Sequence, residues 1–257
     1  MTLNTNDEMY NYLEINEKVE KQLEKKKKII PKAGKKEKLI KVPEIIYQCS
    51  GINIMGIRIK SFIFTTDVAI INNNNAGATF GVYPFKPQIS VMDSVIEASS
   101  APAFVGVGGR NTTAAKSVYM AINAESKGAF GVVLNSLTKL DVIRAVAEAV
   151  NIVVVCTVAS EYDDYLAKVK AGADIIQVSG AKNTPEIIKN IRRDLGPEFP
   201  IIATGGPNDE TILQTILAGA NAIIYTPPTS AELFSENMAK YREESKLNYE
   251  AKMKEEK

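Results

Sequence analysis

The 257-residue chain contains no histidine, and that absence bounds the chemistry available to it. Triads with a histidine base, histidine acid–base catalysis and histidine-ligated zinc or iron are excluded. Proton transfer falls to Asp, Glu, Lys, Tyr or bound water. The residues to weigh are those that directly follow short apolar runs. Asp67 follows the run 61–65 and is the one carboxylate so placed. It suits a general acid–base group, and it equally suits the cap of a following helix. Arg110 follows a turn rich in glycine (Gly106, Gly108, Gly109) and precedes Asn111, Thr112 and Thr113. That set can hold a carboxylate or phosphate, or it can be a capped loop with a solvated arginine. Lys182 stands after Ser179 and Gly180, with Asn183 and Thr184 beside it. It reads as a charge clamp on a substrate, or as a solvated loop lysine, rather than a desolvated Schiff-base lysine. Lys86 occupies a similar position after 79–83. Tyr83, Asn135 and Gln177 end further apolar runs and are candidate ligand contacts.

The strongest local signal is Gly205-Gly206, directly after the apolar run 201–204. Glycines there bring backbone N–H groups close to an anion, and the following helix adds its dipole. The stretch 201–207 with 217–225 resembles the phosphate-binding half of the phosphate-binding TIM barrels. Among these are inosine-monophosphate dehydrogenase, nitronate monooxygenases and the phosphosugar epimerases. The resemblance covers roughly the last quarter of the chain. It implies that Gly205 and Gly206 hold a phosphate of a substrate or of FMN. The sequence departs from that pattern at Thr226-Pro-Pro-Thr-Ser230, where two prolines have no N–H to give. Thr226, Thr229 and Ser230 remain as hydroxyl donors or helix caps. The loop from Ser179 to Lys182 also lacks the reactive cysteine that those dehydrogenases carry.

These positions acquire meaning through the elements that carry them. Eight apolar runs are read as strands, at 61–65, 79–83, 103–106, 131–135, 152–157, 174–178, 201–204 and 222–225. They lack polar alternation, as parallel strands covered on both faces do. Between them lie amphipathic stretches such as 140–150 and 211–217. Gly-Ala pairs at 77–78, 128–129, 172–173 and 219–220 recur about every two βα units, as in four quarter-barrels. The reading is a single (β/α)8 TIM barrel over 39–240, with its chemistry at the C-terminal ends of the strands. A hairpin across Gly56, at 52–59, is expected to plug the opposite end. Residues 1–38 form a charged, partly helical or flexible extension, and 241–257 a charged helical tail.

Bulk properties narrow the function class. Thirty-one basic and thirty acidic residues leave a net charge of +1, with no global pull toward nucleic acid or an anionic membrane. No apolar run is long enough to span a bilayer, and no secretory signal is visible, so a cytoplasmic setting is expected. Cys49 and Cys156 make no disulfide framework, and Cys156 lies inside an apolar run. One carboxylate at a strand end is too few for a divalent-metal barrel. The expectation is therefore a metal-independent isomerase, lyase or hydrolase acting on a small phosphorylated or carboxylated metabolite, with no cofactor. Asp67 would transfer the proton, and Arg110 and Lys182 would neutralise charge. An FMN-dependent oxidoreductase is the first alternative, a non-catalytic binding barrel the second. A homo-oligomer, through the N-terminal arm or the barrel helices, is compatible with either.

Overall fold

The computed structural model describes residues 40–110 and 112–255; the expected extension at 1–38 lies outside the described residues. From Ile40 onward the chain forms one compact unit. Its first two strands, β1 (Ile52–Ile54) and β2 (Ile57–Ile59), pair antiparallel as a hairpin across Met55 and Gly56. Eight parallel strands follow. They are β3 (Ser61–Phe64), β4 (Ala78–Gly81), β5 (Ala103–Gly108), β6 (Gly131–Leu134), β7 (Val153–Val158), β8 (Ile175–Val178), β9 (Ile201–Thr204) and β10 (Ala222–Tyr225). Each pairs with its successor, and β10 closes on β3 with Ile223 opposite Ser61 and Tyr225 opposite Ile63. The chain is a closed (β/α)8 barrel, with all eight strands where the apolar runs predict them to within two residues at either end.

Both faces of each strand are covered, which explains the unbroken apolar runs. In β7, Val154, Cys156 and Val158 belong to the layer shared with the helices, whereas Val155 belongs to the barrel interior. The interior is filled rather than hollow. Phe62 meets Phe104 and Phe80 edge to face, with ring centroids 5.2 and 6.0 Å apart, the geometry their quadrupoles favour. Gly131 makes room for this cluster, since a Cβ there would stand 2.5 Å from the Phe104 ring. Ile52, Ile54 and Ile59 of the hairpin join the same interior cluster. The hairpin therefore plugs the N-terminal end of the barrel, as expected.

Helices α1 (Val68–Asn72), α2 (Ile89–Ala98), α3 (Ala114–Ser126), α4 (Leu140–Ala149), α5 (Tyr165–Lys170), α6 (Thr184–Leu195) and α7 (Asp209–Leu217) surround the strands. In α6 the buried Ile187, Ile188 and Ile191 make one stripe, spaced as a helix packed on a sheet requires. The last helix, α8 (Ser230–Glu255), runs outward, and its described side chains are exposed from Ala239 on. Of the four Gly-Ala pairs, Gly128, Gly172 and Gly219 have φ of 87°, 111° and 115° and follow helix ends. Gly77 differs: it gives its N–H to Ser61 Oγ instead. Strand β5 runs two residues further than expected, and its register against β6 shifts between Gly106 and Gly108. That irregularity sets the course of the loop bearing Arg110.

Candidate functional site

A cleft of about 560 Å³ opens at the C-terminal ends of β4, β5 and β6. One wall is apolar, made by Phe64, Val82 and Phe85, and the other side carries Tyr83, Lys86, Arg110 and Asn135. Gly106, Gly108 and Gly109 present bare backbone to it. The position is the one at which barrel enzymes keep their chemistry. Two lining residues are cations and none is a carboxylate, so the cleft is matched to an anion.

Packing fixes the polar groups of this cleft. The Asn135 side-chain oxygen accepts from Leu137 N at 3.2 Å and Thr138 Oγ1 at 3.4 Å. Its amide nitrogen consequently faces Gly109, where any Cβ would collide with it. The Tyr83 hydroxyl accepts the Gln88 N–H at 2.7 Å, which leaves the phenolic proton to donate. Beneath the turn after β6 lies a residue that the sequence gave no reason to single out. Lys168, on α5 and buried, donates to Ser136 O at 2.9 Å and Thr157 O at 2.8 Å, with Asp163 3.4 Å away. It ties the end of β7 to the turn that carries Asn135. Its neighbours in sequence read as an ordinary amphipathic helix, so only the three-dimensional structure shows it.

The other side of the mouth is built differently. Gly205 gives its N–H to Ile224 O at 3.4 Å, and a Cβ there would press on Ile223 and Ile212 at 2.7 and 2.8 Å. Gly206 has φ of 87° and lies against Thr211. The start of α7 is closed by a capping box between Asn208 and Thr211. Ser179 Oγ accepts from Thr204 Oγ1 at 3.2 Å, and Gly180 N–H goes to Thr184 Oγ1 at 3.0 Å. Gln177 is buried on β8, and Lys182 lies exposed in the short 3-10 turn that follows it. At the start of α8, the Glu232 carboxylate accepts from Thr229 N and Oγ1, both at 2.8 Å. Those bonds hold the Glu232 carboxyl below the usual carboxylate range. Thr226, directly after β10, is exposed.

Asp67 caps α1, accepting from Ala69 N at 2.8 Å and Ile70 N at 3.3 Å. It also accepts from Ser230, whose hydroxyl is the largest influence holding the Asp67 carboxyl below its ordinary value; the capping amides add to this against a small desolvation penalty. Asp67 is not among the residues lining the cleft. The structure thus brings Tyr83, Gly108, Gly109, Arg110 and Asn135 together. It leaves Asp67, Lys182, Gly205, Gly206 and the hydroxyls near 179 and 226–230 on other arcs of the mouth. Thr113 rather than Asn111 or Thr112 caps α3, through Lys116 N at 3.3 Å. Both cysteines are buried, and burial is the main cause pushing each thiol up to about 12; neither is poised as a nucleophile.

No helix among the described residues is long and apolar enough to cross a membrane. No family model matches the chain, and no curated protein matches it either. Solved structures do resemble it. Phosphonopyruvate hydrolase, in complex with oxalate and Mg++, superposes with a TM-score of 0.55 at 14% identity, covering 72% of this chain and 80% of that one. Phosphoenolpyruvate phosphomutase from Streptomyces platensis subsp. rosaceus gives 0.54 at 11% identity, covering 74% and 83%. The 2,3-dimethylmalate lyase, a member of the PEP mutase/isocitrate lyase superfamily, gives 0.52 at 15% identity, covering 74% and 82%. These neighbours are not of the inosine-monophosphate dehydrogenase or nitronate monooxygenase type that the Gly205-Gly206 stretch resembles. They also overturn the expectation of a barrel without a cofactor and its FMN alternative: the hydrolase holds Mg++ beside oxalate, and FMN finds no support. The short reach of the sequence argument explains the error, because it counted carboxylates at the strand ends of this chain alone. The described residues do not by themselves make a divalent-ion site. No three His, Cys, Asp or Glu side chains converge among them, and Asp67 is committed to two helix starts. At these identities the likeness establishes the fold: this chain is similar in architecture to barrels named as a hydrolase, a mutase and a lyase.

Proposed function

We propose that this barrel is an enzyme of the lyase or hydrolase kind, acting on a small carboxylated or phosphorylated metabolite bound in the cleft between the β4, β5 and β6 loops. One observation carries the reading: Lys86 and Arg110 both line that cleft, and no carboxylate does. The similar barrels support the substrate class, since one of them holds the dicarboxylate oxalate.

The chain's own groups divide the work. Arg110 and Lys86 bind the anionic substrate and offset the charge that develops on its oxygens as a bond breaks. The Asn135 amide, held by the turn at 137–138, donates from a fixed direction. Phe64 and Phe85 form the wall that keeps water from the reacting carbon, and Tyr83 supplies a proton from its hydroxyl. Asp67, Lys182, Gly205, Gly206, Ser179 and Gly180 belong to the same mouth but act on the substrate, if at all, from outside this cleft.

Thermal denaturation of the full chain with oxalate tests the reading. A ligand at about a hundredfold excess over its dissociation constant stabilises by roughly 2.7 kcal/mol, a clear rise in Tm. The Lys86→Gln, Arg110→Gln double variant should lose that rise and keep the Tm of the ligand-free protein. An equal rise in the double variant places the anion elsewhere.

A further inference from the structure

We infer that the start of α3 is a subsite for the phosphoryl group of a substrate or product, an inference that rests on reading the cleft as an anion site. Ser117 lies in the first turns of this 13-residue helix, four positions after its cap Thr113. Its side chain is completely buried, and its hydroxyl has no hydrogen-bond partner. Side chains on a helix lean toward its N-terminus, and this hydroxyl leans back to the loop that enters the helix. It occupies the space that a side chain on Gly108 would need, with Thr112 closing the same space at 3.4 Å from that position. Gly108 and Thr112 also line the cleft.

A buried hydroxyl without a partner is rare in folded proteins, and a ligand oxygen is one cause of such a vacancy. Here it coincides with three further donors. The first-turn amides of a helix have no intrahelical acceptor, and their partial positive charge favours an anion. Thr113 Oγ1 accepts from Lys116 N, leaving the rest of that turn directed at the loop. Arg110 approaches from the cleft. Donors arriving from the helix axis, from below and from the side suit a tetrahedral group with three terminal oxygens better than a planar carboxylate, whose acceptors share one plane. The Gly205 N–H on the opposite arc is already given to Ile224, so that turn offers one donor fewer. The Gly109 backbone is pinned against Asn135, which keeps the entry loop in register with the helix start.

Isothermal titration of the full chain with inorganic phosphate, glycerol 3-phosphate and oxalate tests this. Wild type should bind both phosphoryl probes, and Ser117→Ala should weaken both about tenfold while oxalate binding is unchanged. Tighter binding of glycerol 3-phosphate than of phosphate assigns the subsite to a monoester; the reverse order assigns it to released phosphate. Because Ser117→Ala removes a hydroxyl that bonds to nothing, its Tm should equal or exceed that of wild type. Phosphate affinity unaltered in Ser117→Ala, or oxalate bound without phosphate, overturns the subsite and leaves the anion cleft standing. If Arg110→Gln changes the binding of none of the three probes, the cleft reading falls as well.

Discussion

The carboxylate of Asp67 accepts the hydroxyl of Ser230, so one side chain caps α1 and anchors the first residue of α8. Helices at opposite ends of the barrel sequence are thereby joined where β3 and β10 meet. A carboxylate so employed has little basicity left for proton abstraction, which is why the proton donor proposed above is Tyr83.

Replacing Asp67 with alanine should therefore cost stability, by about 1 kcal/mol for the lost cap, with asparagine costing less. The pH dependence has a definite sign. The folded-state pKa of Asp67 lies below its unfolded value, so its contribution is complete above the usual carboxylate range and disappears as pH falls through the folded value. Urea melts at pH 7 and pH 3 should show the gap between wild type and Asp67→Ala closing at the lower pH. A gap that persists unchanged removes the carboxylate from the account.

Lys168 should behave as a buried clamp. Its ammonium satisfies two carbonyls and lies beside Asp163, all within the β6 and β7 ends. Substituting methionine keeps most of the volume but strands those acceptors, at a cost of about 3–5 kcal/mol. A drop in the urea midpoint with an unchanged m-value is the expected result. A loss below about 1 kcal/mol would mean that water replaces the ammonium without penalty.

Gly109→Ala separates packing from binding. The added methyl group must displace the Asn135 amide, which lies on the cleft surface rather than in the core. Oxalate should bind at least tenfold more weakly, while the Tm of the ligand-free protein moves by only a few degrees. Equal loss of both would mean that the Gly109–Asn135 contact supports the barrel rather than the cleft.

Cys49 and Cys156 should resist alkylation in the native protein. With thiols pushed up to about 12 by burial, the thiolate fraction at pH 8 is on the order of one in ten thousand. Iodoacetamide should label neither until denaturant is added, when both should react together with unfolding. Rapid native labelling of Cys156 would show that β7 opens locally.

Much of this molecule was legible in the linear chain because the relevant physics is local. Strands covered on both faces must be apolar at every position, so β3 to β10 announced themselves as uninterrupted runs, and the short alternation around Gly56 announced the hairpin. The barrel then followed from the count of strands and from the helices between them. The site was legible only as a roster of strand-end residues. The sequence places Asp67 and Arg110 in equivalent positions, yet the fold commits one to two helix caps and the other to an open cleft. It offers two glycine-rich turns as equals, yet Gly205 is wedged between Ile212 and Ile223 whereas Gly108 and Gly109 border the cleft. Lys168 and Ser117 gave no signal at all.

The amino-acid sequence by itself determined the barrel, its plug, and the exclusion of histidine chemistry, because composition and period are properties of neighbours along the chain. Tertiary structure alone decided which strand ends share a cleft, which carboxylate is already bonded and which hydroxyl is left without a partner. Those outcomes depend on strand register and side-chain packing between residues far apart in sequence, such as Asp67 with Ser230 and Gly109 with Asn135, and no local pattern encodes them.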